Sequence, residues 1–291
     1  MKTDMQADFR QRLAAAIRTA GSSLCVGIDP DPKELPPYLQ RRLSGTTPGG
    51  ALVEFCELMM AASRGRAPVV KFQSAYFEAY GAVGIAALKE AMARAKGLGL
   101  LTILDAKRGD IASTMHAYGR MAFDYFQADA LTVTPYIGFD VIELLSPWLK
   151  AGRGIYAVWI TSNASGSDLQ ELPQHGVDAN VAGAVLRQLK DKCGKAGLNG
   201  GFGVVLGATK LAHLPDAQRD ALRGVPLLIP GVGAQGGAVD DRLKSVMKLS
   251  GAAVVAQSRS ISRPDGVDVD SRTYGEFLSA RVTKAAKELP V

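Results

Sequence analysis

The sequence predicts a (β/α)8 barrel, the TIM barrel fold of the α/β class, and three observations predict it. Eight short apolar runs recur along the 291 residues, and segments with the apolar spacing of amphipathic helices lie between them. No break in composition and no linker rich in proline or serine divides the chain. Its length also suits a single barrel, which commonly has about 250 residues. We therefore expect one barrel domain over residues 1–291 that includes an N-terminal helix.

The apolar runs are the predicted strands. Each run is short and rich in branched side chains, as in strands that are buried on both faces. The runs cover residues 24–28, 68–72, 100–104, 130–133, 155–160, 202–206, 226–229 and 252–256.

The segments between the runs are the predicted helices, because their apolar residues recur every three or four positions. These helices cover residues 1–20, 51–63, 83–96, 111–127, 139–150, 177–192 and 238–249. Two connections, residues 31–50 and 162–174, are longer than typical loops between strands and helices. We expect these two loops to cover or line the site.

Composition narrows the classes of function. The three cysteines have no CxxC spacing and only three histidines are present, so no zinc site is predicted and a reduced, cytoplasmic setting is expected. The first residues lack an apolar signal core, and no stretch reaches about 18 uncharged apolar residues, so we expect neither export nor membrane insertion. The net charge of +6 is scattered along the chain, which favours a small anionic substrate over nucleic acid.

The segment LLTILDAKRGDIAST, residues 100–114, is the strongest sign of a catalytic site. Asp105 and Lys107 are two residues apart, so on a strand that ends near Leu104 their side chains would share one face. Gly109 then breaks the strand, which places Asp110 at or near the N-cap of the next helix. A plain turn, with Asp110 as the cap and a surface Lys107–Asp105 pair, is the alternative. We favour a catalytic cluster, because inward-facing charges at a strand end are unfavourable unless they are used.

The residues that follow each apolar run define a ring. In (β/α)8 barrels the active site lies at the carboxyl ends of the strands. The ring is polar enough to hold a sugar or a nucleotide, and no three of its members resemble a metal cage. Its members are Asp29, Lys71, Gln73, Asp105, Lys107, Thr134, Ser162, Asn163, Thr209, Gly231, Gly233, Ser258 and Arg259.

A phosphate site is predicted at the seventh and eighth strands. The segment LIPGVGAQGGAVD, residues 228–240, has four glycines that include Gly233, and barrels often bind phosphate at these two loops. Arg259 would add a fork of donors that matches phosphate oxygens, and Gln235 would donate its amide. Alternatively, the glycines only form a tight turn and Arg259 extends into solvent.

Seven segments together carry a resemblance to a known family. The sequence resembles the orotidine 5′-phosphate decarboxylases, and specifically their longer bacterial subfamily. The D-x-K-x-x-D element is highly diagnostic of the wider superfamily, and its combination with Lys71 narrows it further. The segments are CVGIDPDP (25–32), VVKFQSAYFE (69–78), LDAKRGDIAST (104–114), TVTPYIGFD (132–140), TSNASGSDLQ (161–170), IPGVGAQGG (229–237) and QSRSI (257–261).

The resemblance implies an activity and a catalytic group. It implies that orotidine 5′-monophosphate (OMP) is converted to uridine 5′-monophosphate (UMP) and CO2 in pyrimidine biosynthesis, without a cofactor. Lys107 would stabilise the carbanion at C6 of the pyrimidine and then protonate it. Asp105 and Lys71 would extend an alternating array of charges beside it, and Asp110 would enter from the other subunit of a homodimer with shared sites.

The resemblance also implies the binding residues. Lys71 and Asp29 would contact the ribose, and Thr114, together with Ile111, would reach the neighbour's substrate. Either Ser162 or Asn163 would bind the amide edge of the pyrimidine, because the TSN segment departs from the Ser-Ser pattern of shorter members. The phosphate would be held by Gly233, Gln235 and Arg259.

Two alternatives stay open at this point. One is a magnesium-dependent sugar-phosphate decarboxylase or aldolase of the same superfamily, in which a glutamate after the second strand helps to bind the metal. Lys71 opposes this reading, because its positive charge repels Mg²⁺. The other is a non-catalytic barrel that binds a nucleotide, which the fold alone does not exclude.

Overall fold

The computed structural model describes residues 7–46, 48–174, 178–233, 236–264 and 269–291. Within these ranges, parallel strands close into an eight-stranded barrel in sequence order, and the first strand pairs with the last. The predicted fold class is therefore confirmed. The strands are β1 (Leu24–Ile28), β2 (Val69–Gln73), β3 (Leu101–Arg108), β4 (Ala130–Val133), β5 (Gly154–Ile160), β6 (Phe202–Leu206), β7 (Leu227–Ile229) and β8 (Ala253–Gln257).

Helices alternate with the strands along the chain. No helix of the described ranges combines the length and the apolar character needed to cross a bilayer. The helices are α1 (Phe9–Ala20), α2 (Pro37–Leu43), α3 (Pro48–Ser63), α4 (Ser74–Glu78), α5 (Gly81–Gly97), α6 (Ala112–Gly119), α7 (Val141–Lys150), α8 (Ser167–Gln170), α9 (Val181–Lys195), α10 (Asp216–Asp220), α11 (Asp241–Ser250), α12 (Arg259–Ser262) and α13 (Ser271–Glu288).

Several elements differ from the sequence prediction. The strand predicted to end at residue 104 continues to Arg108, and the helix predicted over residues 111–127 is α6 followed by a π-helical turn, Arg120–Tyr125. The long connection at residues 31–50 contains α2 and a 3-10 turn, and that at residues 162–174 contains α8. The helix predicted from residue 177 begins at Val181, and residue 177 itself lies outside the described ranges.

The amino-terminal end of the barrel is closed by α1. Asp8 and Gln11 form a capping box that starts this helix. Phe9 lies under the barrel, where its ring packs edge-on against that of Tyr156 at 5.7 Å between centroids. A Cβ at Gly154 would collide with the Phe9 ring, so the glycine permits the close approach.

The buried carboxylate of Asp129 connects α1 to the strands at this end of the barrel. It accepts hydrogen bonds from the backbone N–H of Thr102 at 2.9 Å and from the Thr102 hydroxyl at 3.2 Å. Arg12 of α1 forms an ion pair with it, and a nitrogen of Arg153 lies 3.7 Å away. The helix is thus anchored to β3 and β4 by charge as well as by apolar packing.

Candidate active site

A cavity of about 300 Å³ opens at the carboxyl ends of the strands. Most of the predicted ring borders it, whereas Thr134, Thr209 and Gly233 do not. The lining residues are Gly27, Asp29, Lys71, Gln73, Asp105, Lys107, Thr161, Ser162, Asn163, Val205, Leu228, Pro230, Gly231, Val232, Ala256, Ser258, Arg259 and Ser260.

Asp105 is the centre of the site and is only 6% exposed. Its Oδ1 accepts from Lys107 Nζ at 2.6 Å and from the Thr132 hydroxyl at 2.9 Å. Its Oδ2 lies 3.0 Å from Lys71 Nζ and accepts from Gln73 Nε2 at 3.3 Å. Four donors therefore saturate this carboxylate and fix its orientation.

Lys71 is buried between two carboxylates. Its Nζ lies 3.0 Å from Asp105 Oδ2 and 3.7 Å from Asp29 Oδ1. Asp29, Lys71, Asp105 and Lys107 thus form a row of alternating charge, which we call the charged array.

Burial and charge oppose each other within the charged array. Burial alone would lower the pKa of Lys71, but the carboxylates of Asp105 and Asp29 outweigh it and raise that pKa above its usual value. Burial would likewise raise the pKa of Asp105, but Lys71 and Lys107 hold it well below its usual range. The central pair is therefore ionised at neutral pH.

A bulge in β3 brings Lys107 into place. Leu104 pairs with Leu131 and Arg108 with Val133, so β3 has two more residues than β4 between these pairs. Lys107 lies in the bulge with a φ of +47°, an unfavourable conformation for a residue with a side chain. The prediction that the strand ends at Leu104 is wrong: the strand passes the site, and the bulge aims the lysine.

The segment after Gly109 does not line this cavity. Asp110 lies directly before Ile111, the N-cap residue of α6, and no side chain caps this helix. Asp110 Oδ1 instead accepts from the Ile111 N–H at 2.8 Å. Ile111 is 59% exposed and Thr114 is also exposed. None of these three residues lines the cavity of its own chain.

The loops after β7 and β8 form one wall of the cavity. Gly231 and Gly233 have φ values of +97° and +80°, which glycine adopts without strain. Gly231 lines the cavity, and so does Arg259, the first residue of α12. Gly233 lies just outside, where its N–H donates to the Gly237 carbonyl at 2.9 Å. Gln235 lies outside the described residues.

Two buried polar atoms at the cavity have no hydrogen-bond partner among the described residues. They are Asp29 Oδ1 and the Ser258 hydroxyl. Buried polar atoms are nearly always hydrogen-bonded, so such atoms at a cavity indicate contacts that a bound molecule supplies. A carboxylate oxygen can only accept, and a sugar hydroxyl is a suitable donor to it.

Ser162 and Asn163 both border the cavity beyond β5. The Ser162 carbonyl accepts from the Thr209 hydroxyl at 3.1 Å, and Asn163 Nδ2 donates to the Ser165 hydroxyl at 2.8 Å. The choice between these two residues stays a prediction.

Thr132 contacts the charged array, and the sequence prediction missed it. It lies inside the apolar run of β4 rather than after it, and it is fully buried. The available signal was its alternation in β4 with the branched residues Leu131 and Val133, which places a lone hydroxyl on the other face of the strand.

Fold and site together define a class of protein: a (β/α)8 barrel enzyme with an alternating lysine–aspartate array at the ends of β1, β2 and β3. The sequence model of the "Orotidine 5′-phosphate decarboxylase / HUMPS family" matches residues 22–272. A protein of Ralstonia nicotianae named orotidine 5′-phosphate decarboxylase is 38% identical over 256 residues, which cover 86% of this chain and 87% of that protein. The chain belongs to the orotidine 5′-phosphate decarboxylase / HUMPS family.

Solved structures agree with this placement. A structure from Streptomyces avermitilis, provisionally named an orotidine 5′-phosphate decarboxylase, has a TM-score of 0.77 and 30% identity, and the match covers 99% of this chain and 97% of that one. The UMP synthase of Leishmania donovani has a TM-score of 0.73 and 30% identity. That match covers 96% of this chain but only 56% of the longer synthase.

Proposed function

We propose that this chain decarboxylates OMP to UMP and CO2 in pyrimidine biosynthesis. The observation that carries the proposal is the charged array, in which Lys107 Nζ lies 2.6 Å from a buried, ionised Asp105 at the edge of a cavity of about 300 Å³. The family that the chain belongs to supports it. A pure binding site would gain nothing from an ammonium held in this position.

The cavity offers a partner for each part of OMP. Arg259 and the backbone near Gly231 bind the phosphate, with Gly233 and Gln235 in the same loop. The Oδ1 of Asp29, which has no hydrogen bond among the described residues, accepts from a ribose hydroxyl, and Lys71 contacts the same sugar.

The pyrimidine lies between two groups of residues. Ser162 or Asn163 binds its amide edge, and its C6 faces Lys107. Binding energy from the remote phosphate orders the substrate against the charged array.

The reaction breaks the bond between C6 and the carboxylate carbon. The electron pair stays on C6 as a vinylic carbanion, CO2 leaves, and the Lys107 ammonium stabilises the developing charge. A proton then passes from Nζ to C6, which forms the C6–H bond of UMP. The Lys107 side chain is 46% exposed, so water can return a proton to it. Asp105 holds the Lys107 Nζ in one position throughout.

We further infer a homodimer with shared sites. Asp110, Ile111 and Thr114 are exposed or half-buried, follow the charged array closely in sequence and do not line the cavity of their own chain. In a two-fold dimer these residues reach the partner's cavity, where Asp110 completes the charged array.

Mixing two inactive variants tests the shared site. Lys107→Ala and Asp110→Ala would each be inactive alone. After subunit exchange, half of the dimers are mixed and each has one intact site, so about a quarter of wild-type activity should return. If each cavity is complete within one chain, the mixture stays inactive.

The assay that tests the activity is the loss of OMP absorbance near pH 7 in the presence of EDTA. We expect turnover that EDTA does not affect, and Arg259→Gln should raise KM by about 100-fold or more, because a charged phosphate contact is lost. Bound UMP without turnover of OMP would favour the non-catalytic barrel. Activity that disappears with EDTA would favour the magnesium-dependent alternative, which fits less well because the Lys71 ammonium lies between the two carboxylates that a cation would use.

A further inference from the structure

The Thr132 hydroxyl connects the backbone of Lys107 to the carboxylate of Asp105. Its Oγ1 lies 2.9 Å from the backbone N of Lys107 and 2.9 Å from Asp105 Oδ1. The side chain is fully buried and does not line the cavity, so it does not touch the substrate.

The direction of both hydrogen bonds follows from the groups involved. A backbone N–H only donates, so the hydroxyl oxygen accepts from Lys107. Asp105 is ionised because Lys71 and Lys107 outweigh its burial and hold its pKa low, so its carboxylate only accepts. The single hydroxyl proton of Thr132 therefore points at Asp105. The Thr132 hydroxyl therefore accepts from the Lys107 N–H and donates to Asp105, and the direction of both hydrogen bonds is fixed.

The bulge in β3 explains why a side chain is needed here. Between Leu104 and Arg108 the regular ladder to β4 is interrupted, so the Lys107 N–H has no regular backbone acceptor in β4. A partly buried N–H without a partner is unfavourable, and so is the positive φ of this lysine. The Thr132 hydroxyl takes the place of the missing carbonyl and stabilises the bulged conformation.

We propose that Thr132 is a positioning residue for the decarboxylation. Its hydroxyl links the Lys107 backbone to the Asp105 carboxylate, so that the ammonium points at C6 while the carboxylate keeps its four donors. This inference rests on the proposed function, because it assigns to Thr132 the alignment of the group that protonates C6.

A second buried threonine provides a matched control. Thr102 lies in β3 at the other end of the barrel, and its hydroxyl donates to Asp129 Oδ2 at 3.2 Å while it accepts from the Asp129 N–H at 3.2 Å. Both threonines thus link a backbone N–H to a buried aspartate. Only Thr132 does so beside the cavity.

The experiment compares Thr132→Val, Thr132→Ser and Thr102→Val by steady-state kinetics, UMP binding and thermal unfolding. For Thr132→Val we expect kcat to fall about 10- to 100-fold, because a displacement on the order of 1 Å of a reacting group costs about 100-fold. KM and UMP affinity should stay within about 3-fold, because the binding contacts are intact. Thr132→Ser should restore kcat to within about 3-fold, because it keeps the hydroxyl.

The control separates positioning from stability. Thr102→Val should lower Tm about as much as Thr132→Val and leave kcat within about 2-fold of wild type. Wild-type kcat in Thr132→Val, an equal loss of kcat in Thr102→Val, or no rescue by Thr132→Ser would each overturn the positioning role. Failure of the wild type to turn over OMP would instead overturn the proposed function, and the inference with it.

Discussion

Each end of the barrel has a buried aspartate that contacts two cations and a threonine hydroxyl, but the two aspartates differ in role. At the amino end, Asp129 is buried against two cations and the Thr102 hydroxyl. At the carboxyl end, Asp105 is buried against two cations and the Thr132 hydroxyl. The difference is in what surrounds them. The first carboxylate is covered by α1, whereas the second borders an open cavity.

The choice of cation matches this difference. Arg12 and Arg153 surround Asp129, and their planar guanidinium groups make fixed, directional contacts that hold helix and strands together. Lys71 and Lys107 surround Asp105, and an ammonium on a flexible chain can approach a reacting carbon and give up a proton. A buried aspartate thus stabilises the fold at the amino end, as Asp129 does, and takes part in the chemistry at the carboxyl end, as Asp105 does.

Lys107→Ala should give the largest effect and should affect only the carboxyl end. We expect kcat to fall by about 10⁴-fold or more, because both the proton donor and the charge next to C6 are removed. The free energy of unfolding should fall by only about 1 to 2 kcal/mol, because the buried Asp105 loses one charged donor but keeps Lys71. Single-turnover absorbance measurements and urea unfolding check the two parts, and a variant that keeps full turnover would refute the assigned chemistry.

Asp129→Ala is the corresponding change at the amino end. It leaves two arginines and the Thr102 N–H without their shared acceptor, so the free energy of unfolding should fall by about 3 kcal/mol. The kcat of the folded fraction should stay within about 2-fold of wild type, because no contact at the cavity is changed. Asp129→Asn, which keeps one acceptor, serves if the alanine variant does not fold. A selective loss of kcat in either variant would show that the two ends are coupled.

The free energy of unfolding at acid pH should depend on the protonation of Asp105. In the folded chain burial raises its pKa, but Lys71 and Lys107 outweigh burial and hold that pKa below the usual value. The unfolded chain therefore takes up a proton near pH 4 while the folded chain does not. The contribution of Asp105 to stability is complete above that pH and is lost as the pH falls toward the folded-state pKa.

Asp105→Asn removes this contribution, so urea unfolding between pH 5 and pH 2.5 should depend less on pH. The difference in slope should approach about 1.4 kcal/mol per pH unit, the value for one proton. If the free energy of unfolding depends on pH equally in the wild type and in Asp105→Asn, the pKa of Asp105 is the same in the folded and the unfolded chain.

The smallest effects are expected at the pyrimidine edge. Ser162→Ala and Asn163→Ala should separate these residues, because the one that binds the amide edge loses about 1 to 2 kcal/mol of binding, or roughly 10-fold in KM. The other should change KM by less than about 2-fold. Equal changes would mean that both side chains contact the base.

The fold was predictable because its signals are local and repeated. All eight apolar runs correspond to strands, and their order is that of the closed barrel. The site was predictable where residues directly follow an apolar run, as Asp29 and Asp105 do. Turn and loop helices such as α2 and α8 were missed, because short helices depend on tertiary contacts more than on apolar spacing.

The bulge in β3 marks the limit of the sequence prediction. Alternation along a regular strand places Asp105 and Lys107 on one face, and their side chains do meet. The positive φ of Lys107 and its contact with the Thr132 hydroxyl depend on the register between β3 and β4, which no single segment encodes. Asp110, by contrast, lies where the sequence predicts it, next to the N-cap residue Ile111.

The pairing of β1 with β8 has a consequence for synthesis on the ribosome. Leu24 pairs with Val255, so one edge of β1 must wait for a partner that emerges about 230 residues later, or roughly 10 to 50 s at typical elongation rates. During that interval the nascent chain exposes an unpaired strand edge, which is prone to wrong pairing. Asp29 and Arg259 meet at one cavity only after this closure. The complete cavity therefore forms only after the last strand has left the exit tunnel.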